Sequence, residues 1–123
     1  VTDQRRALGQ KGEQMAEEFL EQKGYEIISR NARTRRGEID LIAMDGSTLV
    51  FVEVRTRASH AYGTALESVT WRKRQKLREL ALEYLQSWEG YVPSFRFDVI
   101  AVERADRGKS EAAYHIQHVE HAF

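Results

Sequence analysis

Gly37-Glu38-Ile39-Asp40-Leu41-Ile42-Ala43-Met44-Asp45-Gly46-Ser47-Thr48-Leu49-Val50-Phe51-Val52-Glu53-Val54-Arg55 is the stretch on which the fold turns. Two apolar runs, Glu38 to Met44 and Thr48 to Arg55, flank Asp45-Gly46-Ser47. Asp-Gly tolerates the positive φ of a tight turn, so the stretch predicts two adjacent antiparallel strands. Both strands carry acids in apolar surroundings. Glu53 interrupts Leu49 to Val54. Glu38 and Asp40 alternate with Ile39 and Leu41, which predicts the acids on one face and the apolar pair on the other. Asp40 and Glu53 can then lie near each other across the hairpin, and Arg55 shares the face of Glu53. A carboxylate so placed is costly unless it is paired or binds a cation. Two readings are open. The acids form an ion cluster with Arg55 and nearby arginines, or they are hard oxygen ligands for Mg²⁺ or Mn²⁺, completed by a backbone carbonyl such as that of Val54.

Upstream, Leu8, Gly12, Met15, Ala16, Phe19 and Leu20 recur at the spacing of an amphipathic helix over Asp3 to Lys23, with Gly24 beyond its end. Taking the stripe centre near Gly12, Met15 and Phe19, Glu13 lies about 100° from it and Glu17 about 140°. Glu13 is therefore the acid expected to turn toward the sheet, and Glu17 the one expected to point to solvent. Tyr25 to Ser29 reads as a short strand and Arg30 to Gly37 as a polar connection. Downstream, a loop runs from Thr56 to Leu66. Leu77, Leu80, Ala81, Tyr84, Leu85 and Trp88 then mark a second helix, with Ser68 or Thr70 as its N-cap. Phe95 to Val102 reads as a strand, Asp106 to Ser110 as a turn and Ala113 to Val119 as a last strand. The order α-β-β-β-α-β-β predicts an α/β fold with a central mixed sheet flanked by helices.

The chain has 123 residues, no cysteine, and 19 Lys plus Arg against 19 Asp plus Glu. No repeat or linker-like shift divides it, so one domain over residues 1–123 is expected, long enough to bury about two-thirds of its unfolded surface. The lack of cysteine excludes disulfides, thiolate metal sites and a cysteine nucleophile. No apolar run approaches a membrane span and no signal peptide is evident, so a cytoplasmic protein without a membrane partner is expected.

Several motifs carry a family resemblance. They are Gly9-x-x-Gly12-Glu13-x-x-Ala16-x-x-Phe19-Leu20, Gly24-Tyr25, Arg36-Gly37-Glu38-Ile39-Asp40-Leu41-Ile42, Val50-Phe51-Val52-Glu53-Val54-Arg55-Thr56-Arg57, Ser68-Val69-Thr70 with Lys73 and Gln75, Arg96-Phe97-Asp98-Val99 and Ala122-Phe123. Together they resemble the YraN-like proteins, the UPF0102 family. They also resemble the archaeal Holliday junction resolvases and, more distantly, the restriction-endonuclease-like PD-(D/E)xK nucleases. The resemblance implies a restriction-endonuclease-like fold in which Asp40 and Glu53 bind metal, Glu13 completes the site, and Arg55 occupies the motif's lysine position. It further implies Gln75 as an auxiliary polar residue and a possible homodimer. In place of the motif's Pro-Asp, Asp40 follows Glu38-Ile39. Arginine in place of lysine keeps its charge, so it would act as a phosphate-binding donor rather than as a base.

Net neutrality conceals a partition. From Arg30 to Arg78 there are 11 Lys plus Arg against five acids, three of them Glu38, Asp40 and Glu53. Arg33, Arg35, Arg36, Arg57, Arg72, Lys73, Arg74 and Lys76, with Gln75, form a candidate nucleic-acid surface whose attraction would be salt-dependent. A solvated charged face is the plain alternative. Tyr62 and Trp71 are candidates to stack on a base or to belong to the core. His115, His118 and His121 do not make one metal site, since His118 faces the other way on a strand. Asp98 is expected to meet Arg96 or a helix end. The expected function is Mg²⁺- or Mn²⁺-dependent nuclease action on nucleic acid, DNA above all. The catalytic residues would be Glu13, Asp40, Glu53 and Arg55, with Glu17 and Glu38 as possible auxiliaries. Its rivals are a nucleic-acid-binding module without efficient chemistry, and a protein–protein adaptor using the sheet edge or the Tyr84 and Trp88 end of the second helix.

Overall fold

A computed structural model describes residues 3–57, 64–91, 93–104 and 113–123. Tyr62, Gly63 and the turn expected at Asp106 to Ser110 lie outside the described residues. The elements are α1 (Asp3–Gln22), β1 (Glu26–Thr34), β2 (Gly37–Asp45), β3 (Thr48–Arg57), α2 (Ala65–Ser68), α3 (Trp71–Gln86), β4 (Ser94–Arg104) and β5 (Tyr114–Val119). They build a five-stranded sheet of order β1-β2-β3-β4-β5. Only β3 and β4 pair in parallel; the other neighbours are antiparallel. This is the mixed α/β arrangement expected, consistent with a restriction-endonuclease-like fold. None of the helices is long and apolar enough to cross a membrane among the described residues.

Each face of the sheet is covered by a different helix. On one side Ala16 and Leu20 of α1 pack with Leu41, Ala43, Val50, Val52, Ile100 and Val102. On the other, Leu77, Leu80, Ala81 and Leu85 of α3 pack with Ile39, Ile42, Leu49, Phe51, Phe97 and Val99. The helical periodicity read from Leu77 onward therefore names the buried stripe, and Thr70 is the N-cap, accepting from Lys73 N at 3.2 Å. Gly46 adopts φ +61° in the hairpin turn, as Asp-Gly predicts.

Three readings change. Arg30 to Thr34 is not a connection: β1 continues through it, with Arg30 opposite Leu41 and Arg33 opposite Glu38. As an edge strand β1 has few buried side chains, so apolar alternation does not mark it. Ile39 and Leu41 do not share a face, because they belong to opposite core layers. The alternation of β2 is thus interrupted at Asp40. Finally, a single turn of helix, α2, precedes α3, closed by a capping box between Thr64 and Glu67.

Candidate metal and nucleic-acid site

The interruption in β2 marks the place where the sheet opens. Pairing of β2 with β3 ends at Leu41 opposite Val52, whereas β1 stays paired with β2 back to Gly37 and β4 with β3 out to Arg57. Just beyond that last pair, two residues on in β3 and one back in β2, Val54 N–H donates to Asp40 Oδ2 at 2.9 Å. A side-chain carboxylate thus takes a backbone donor that the ladder no longer serves. Within a strand the N–H and C=O of one residue point to the same side, so the Val54 carbonyl faces the opening as well.

Asp40 and Glu53 lie within hydrogen-bonding reach of each other. Glu53 is 4% exposed. Burial, then the neighbouring charge of Asp40, pushes the Glu53 pKa up to about 7. Burial also raises Asp40, despite the Val54 N–H and the Glu53 hydrogen bond that favour its ionised form. Burial is the largest cause for both groups, so the pair resists carrying two negative charges.

The third and fourth acids come from α1 and from β2 itself. Glu13 is held up by burial first and then by the charges of Asp40 and Glu38. The orientation of α1 brings it in. Gly12, Ala16 and Leu20 are its most deeply buried residues, so the buried stripe is centred on Ala16 rather than on Met15 and Phe19. At 100° per residue that turns Glu13 to about 60° from the centre. Small residues allow the approach: a Cβ added to Gly12 would lie 1.9 Å from Thr56 Oγ1. The same rotation corrects Glu17, which is not directed to solvent; its side chain is 16% exposed and forms an ion pair with Arg30 of β1.

Asn31, which sequence reasoning missed, ties two acids together. With its amide NH₂ turned to the carboxylates, it donates to Glu38 Oε1 at 2.6 Å and Glu13 Oε1 at 3.2 Å. Its φ of +49° is unusual for a residue other than glycine, though asparagine tolerates it best. No pattern in the sequence signals this, because the contact joins an edge strand to a helix.

Two cations face Glu53. Arg55 Nη1 lies 3.4 Å from Glu53 Oε2, and its Nε donates to Ser68 Oγ at 3.1 Å. Lys73 Nζ, from the first turn of α3, is 3.9 Å from the same carboxylate oxygen. A cleft of about 270 Å³ beside the acids is lined by Gly9, Glu13, Val54, Arg55, Thr56 and Arg57.

The other basic residues divide by what they touch. Arg33 pairs with Glu38 at 3.6 Å and Arg36 with Glu79 at 4.0 Å. Arg35 and Arg36 line a second cleft of about 320 Å³ together with Glu79, Leu82, Glu83 and Gln86 of α3. None of the four converging acids lines that cleft. Arg72 is exposed, as is Trp71 at 76%. Gln75 and Lys76 are half-buried. Arg74 instead serves the fold: its Nε donates to Val69 O at 2.9 Å and its guanidinium covers Phe123.

A second polar cluster lies around Asp98, which meets Arg96 as expected. Asp98, His118 and Glu120 present potential ligand atoms within 4.8 Å of one another. A guanidinium already stands among two of them. Arg96 Nη2 is 3.3 Å from Asp98 Oδ2, 3.3 Å from Glu120 Oε1 and 2.7 Å from Tyr25 Oη. His118 Nε2 lies 2.7 Å from Asp98 Oδ2, and Lys23 Nζ lies 2.8 Å from His118 Nδ1. The ammonium can only donate, so Nδ1 accepts and Nε2–H donates to Asp98. This cluster is a closed ion network whose cation is Arg96. His115 and His121 are not among its potential ligands.

Comparison with known proteins finds the model of "Uncharacterised protein family UPF0102" matching residues 12–102. A UPF0102 protein of Symbiobacterium thermophilum is 52% identical over 104 residues, covering 85% of this chain and 88% of the relative. One from Pelotomaculum thermopropionicum is 46% identical over the whole of both chains. One from Chlorobium limicola is 51% identical over 96 residues, covering 78% of this chain and 74% of the relative.

Proposed function

The chain belongs to the UPF0102 family, and we propose that it is a Mg²⁺- or Mn²⁺-dependent nuclease that hydrolyses phosphodiester bonds in nucleic acid, DNA being the expected substrate. The observation that carries this reading is the pairing of Asp40 with Glu53 at the parting of β2 and β3, with Glu13 and Glu38 near enough to act on Asp40 through their charge. In atom type the donors fit a hard divalent cation, although no three of these carboxylates, all among the described residues, yet stand within 4.8 Å of one another. The set offers carboxylate oxygens and the Val54 carbonyl, with no thiolate in the chain. Glu53 is buried against half-buried Asp40 and burial raises both pKa values, a cost that a divalent charge would relieve.

Asp40, Glu53, the Val54 carbonyl and Glu13 would hold the ion, and when bound it would supply Lewis-acid polarisation of the phosphate and a lowered pKa for water. The chain's own residues do the positioning. Val54 N–H orients Asp40, Asn31 holds Glu13 beside Glu38, and Arg55 spans Glu53 and Ser68. Positive charge stands beside Glu53 where a phosphate would arrive.

The test is a panel of labelled single-stranded, duplex, flap and four-way-junction substrates with and without Mn²⁺. Metal-dependent product is expected, and Asp40→Asn and Glu53→Gln should abolish it with an unchanged circular dichroism spectrum. Undiminished cleavage by either variant would overturn the assignment. Salt-dependent binding with no product would favour the binding-module reading. The fixed charge of Arg55 supports that alternative, since guanidinium is a poor base.

A further inference from the structure

Arg55 and Lys73 approach the same oxygen of Glu53 from different layers, but they are not equivalent. Arg55 uses Nε on Ser68 and Nη1 on Glu53, so its fork is held from two sides and braces β3 against α2. Lys73 makes a looser 3.9 Å approach, and its side chain remains 40% exposed. The backbone that carries it is nevertheless well fixed. Thr70 caps α3 by accepting from Lys73 N, Arg74 N bonds to Thr70 O at 2.9 Å, and Val69 just before the cap is 1% exposed. An ammonium with three donors thus projects from a rigid turn to the rim of the acidic site, one side toward Glu53 and the other toward solvent.

The surrounding charge points the same way. The first turn of α3 contains Arg72, Lys73 and Arg74 and no acid. Positive side chains at the positive end of a helix dipole destabilise the free protein, whereas an anion bound beside them would be stabilised by both. We infer that Lys73, rather than Arg55 in the strand position, contacts the scissile phosphate, while Arg55 is a positioning residue for Glu53. This inference rests on the nuclease reading above.

Two measurements separate the inference from that reading. The first is single-turnover cleavage in Mn²⁺ by wild type, Lys73→Ala, Lys73→Arg and Arg55→Ala. The second is the salt dependence of binding to a labelled oligonucleotide in Ca²⁺. For Lys73→Ala a fall in the single-turnover rate of about 10²-fold or more is expected. Its salt slope should drop by about one. Lys73→Arg should recover the slope and only part of the rate, since the charge is kept and the donor geometry is not. Arg55→Ala should keep the wild-type slope and unfold at lower temperature. Wild-type cleavage by Lys73→Ala, or a slope that depends on Arg55 and not on Lys73, overturns the inference and leaves the nuclease reading intact. A Lys73-dependent slope with no turnover by wild type overturns the nuclease reading and leaves the phosphate contact standing. Failure to bind the oligonucleotide overturns both.

Discussion

Val54 N–H donates to the carboxylate of Asp40, not to a backbone carbonyl of β2. The strand pair has stopped being a ladder there, and the acid that replaces the ladder partner is fixed at the mouth of an opening. This relationship sets Asp40 against Glu53, and the Val54 N–H favours the ionised form of Asp40 while burial raises the pKa of both acids.

Glu53 titrates near pH 7 in the folded protein against an ordinary value of 4.5. The unfolded chain releases this proton first as pH rises, so the stability associated with the protonated pair is complete below about pH 4.5 and is lost as pH rises through about 7. Glu53→Gln removes that loss. Melting temperature measured from pH 5 to 8 should fall further for wild type than for Glu53→Gln, and Mn²⁺ at pH 8 should raise it for wild type alone. Parallel curves for the two proteins would refute the prediction.

Gly12→Ala sets a better helix former against a clash, and the clash dominates. The new Cβ would lie 1.9 Å from Thr56 Oγ1 and 2.9 Å from Thr56 Cβ, on a β-branched side chain with little freedom to move. The cost expected is about 1–3 kcal/mol in urea unfolding, larger than the roughly 1 kcal/mol gained in helix propensity. Lifting α1 also withdraws Glu13, so metal-dependent cleavage should weaken. Thr56→Ala in the same chain should return part of both.

Asp98 is fully buried and accepts from Arg96 Nε at 3.0 Å, His118 Nε2 at 2.7 Å and His121 N at 3.1 Å. Burial alone would raise its pKa, but the hydrogen bonds from His118, Arg96 and His121 outweigh it and hold the pKa below the ordinary 3.8. Its contribution is therefore present above that value and lost as pH falls through the lower, folded one. Asp98→Ala leaves Arg96 without its main partner and should cost about 3–5 kcal/mol in urea unfolding at pH 7. Asp98→Asn should leave the stabilisation by Mn²⁺ intact. Loss of that stabilisation would move the metal site to this cluster.

Arg72 and Arg74 are neighbours with different expected roles. Arg74 donates to Val69 O and to Leu66 O at 3.4 Å, so Arg74→Ala should lower stability by about 1–2 kcal/mol with little change in the salt slope of oligonucleotide binding. Arg72 is exposed, and Arg72→Ala should reduce that slope by about one at unchanged stability. Equal slopes for wild type and Arg72→Ala would remove Arg72 from the nucleic-acid surface.

Much of this was legible in residue order. The hairpin followed from Asp45-Gly46-Ser47 between apolar runs, and α3 from the spacing of Leu77, Leu80, Ala81 and Leu85. Asp40 and Glu53 stood out because a carboxylate in an apolar strand needs a reason. The extension of β1 past Ser29 was not legible, since an edge strand needs little apolar surface and its pairing partner is recognised only in space. Nor was the role of Asn31, whose contacts with Glu13 and Glu38 exist only after α1, β1 and β2 have met.

The sequence by itself determined the layers of this protein and the kinds of atoms available to its site, because local periodicity and composition are properties of the chain alone. Tertiary structure decided the rest. It broke the alternation of β2 at Asp40, so that Ile39 and Leu41 entered opposite layers, and it rotated α1 about its small residues until Glu13 turned inward and Glu17 met Arg30. It also brought Lys73 to Glu53 across 20 positions of chain. Strict alternation holds only while a strand is paired, and the direction of a charged side chain at the end of a pairing is set by whichever donors the neighbouring layers leave within reach.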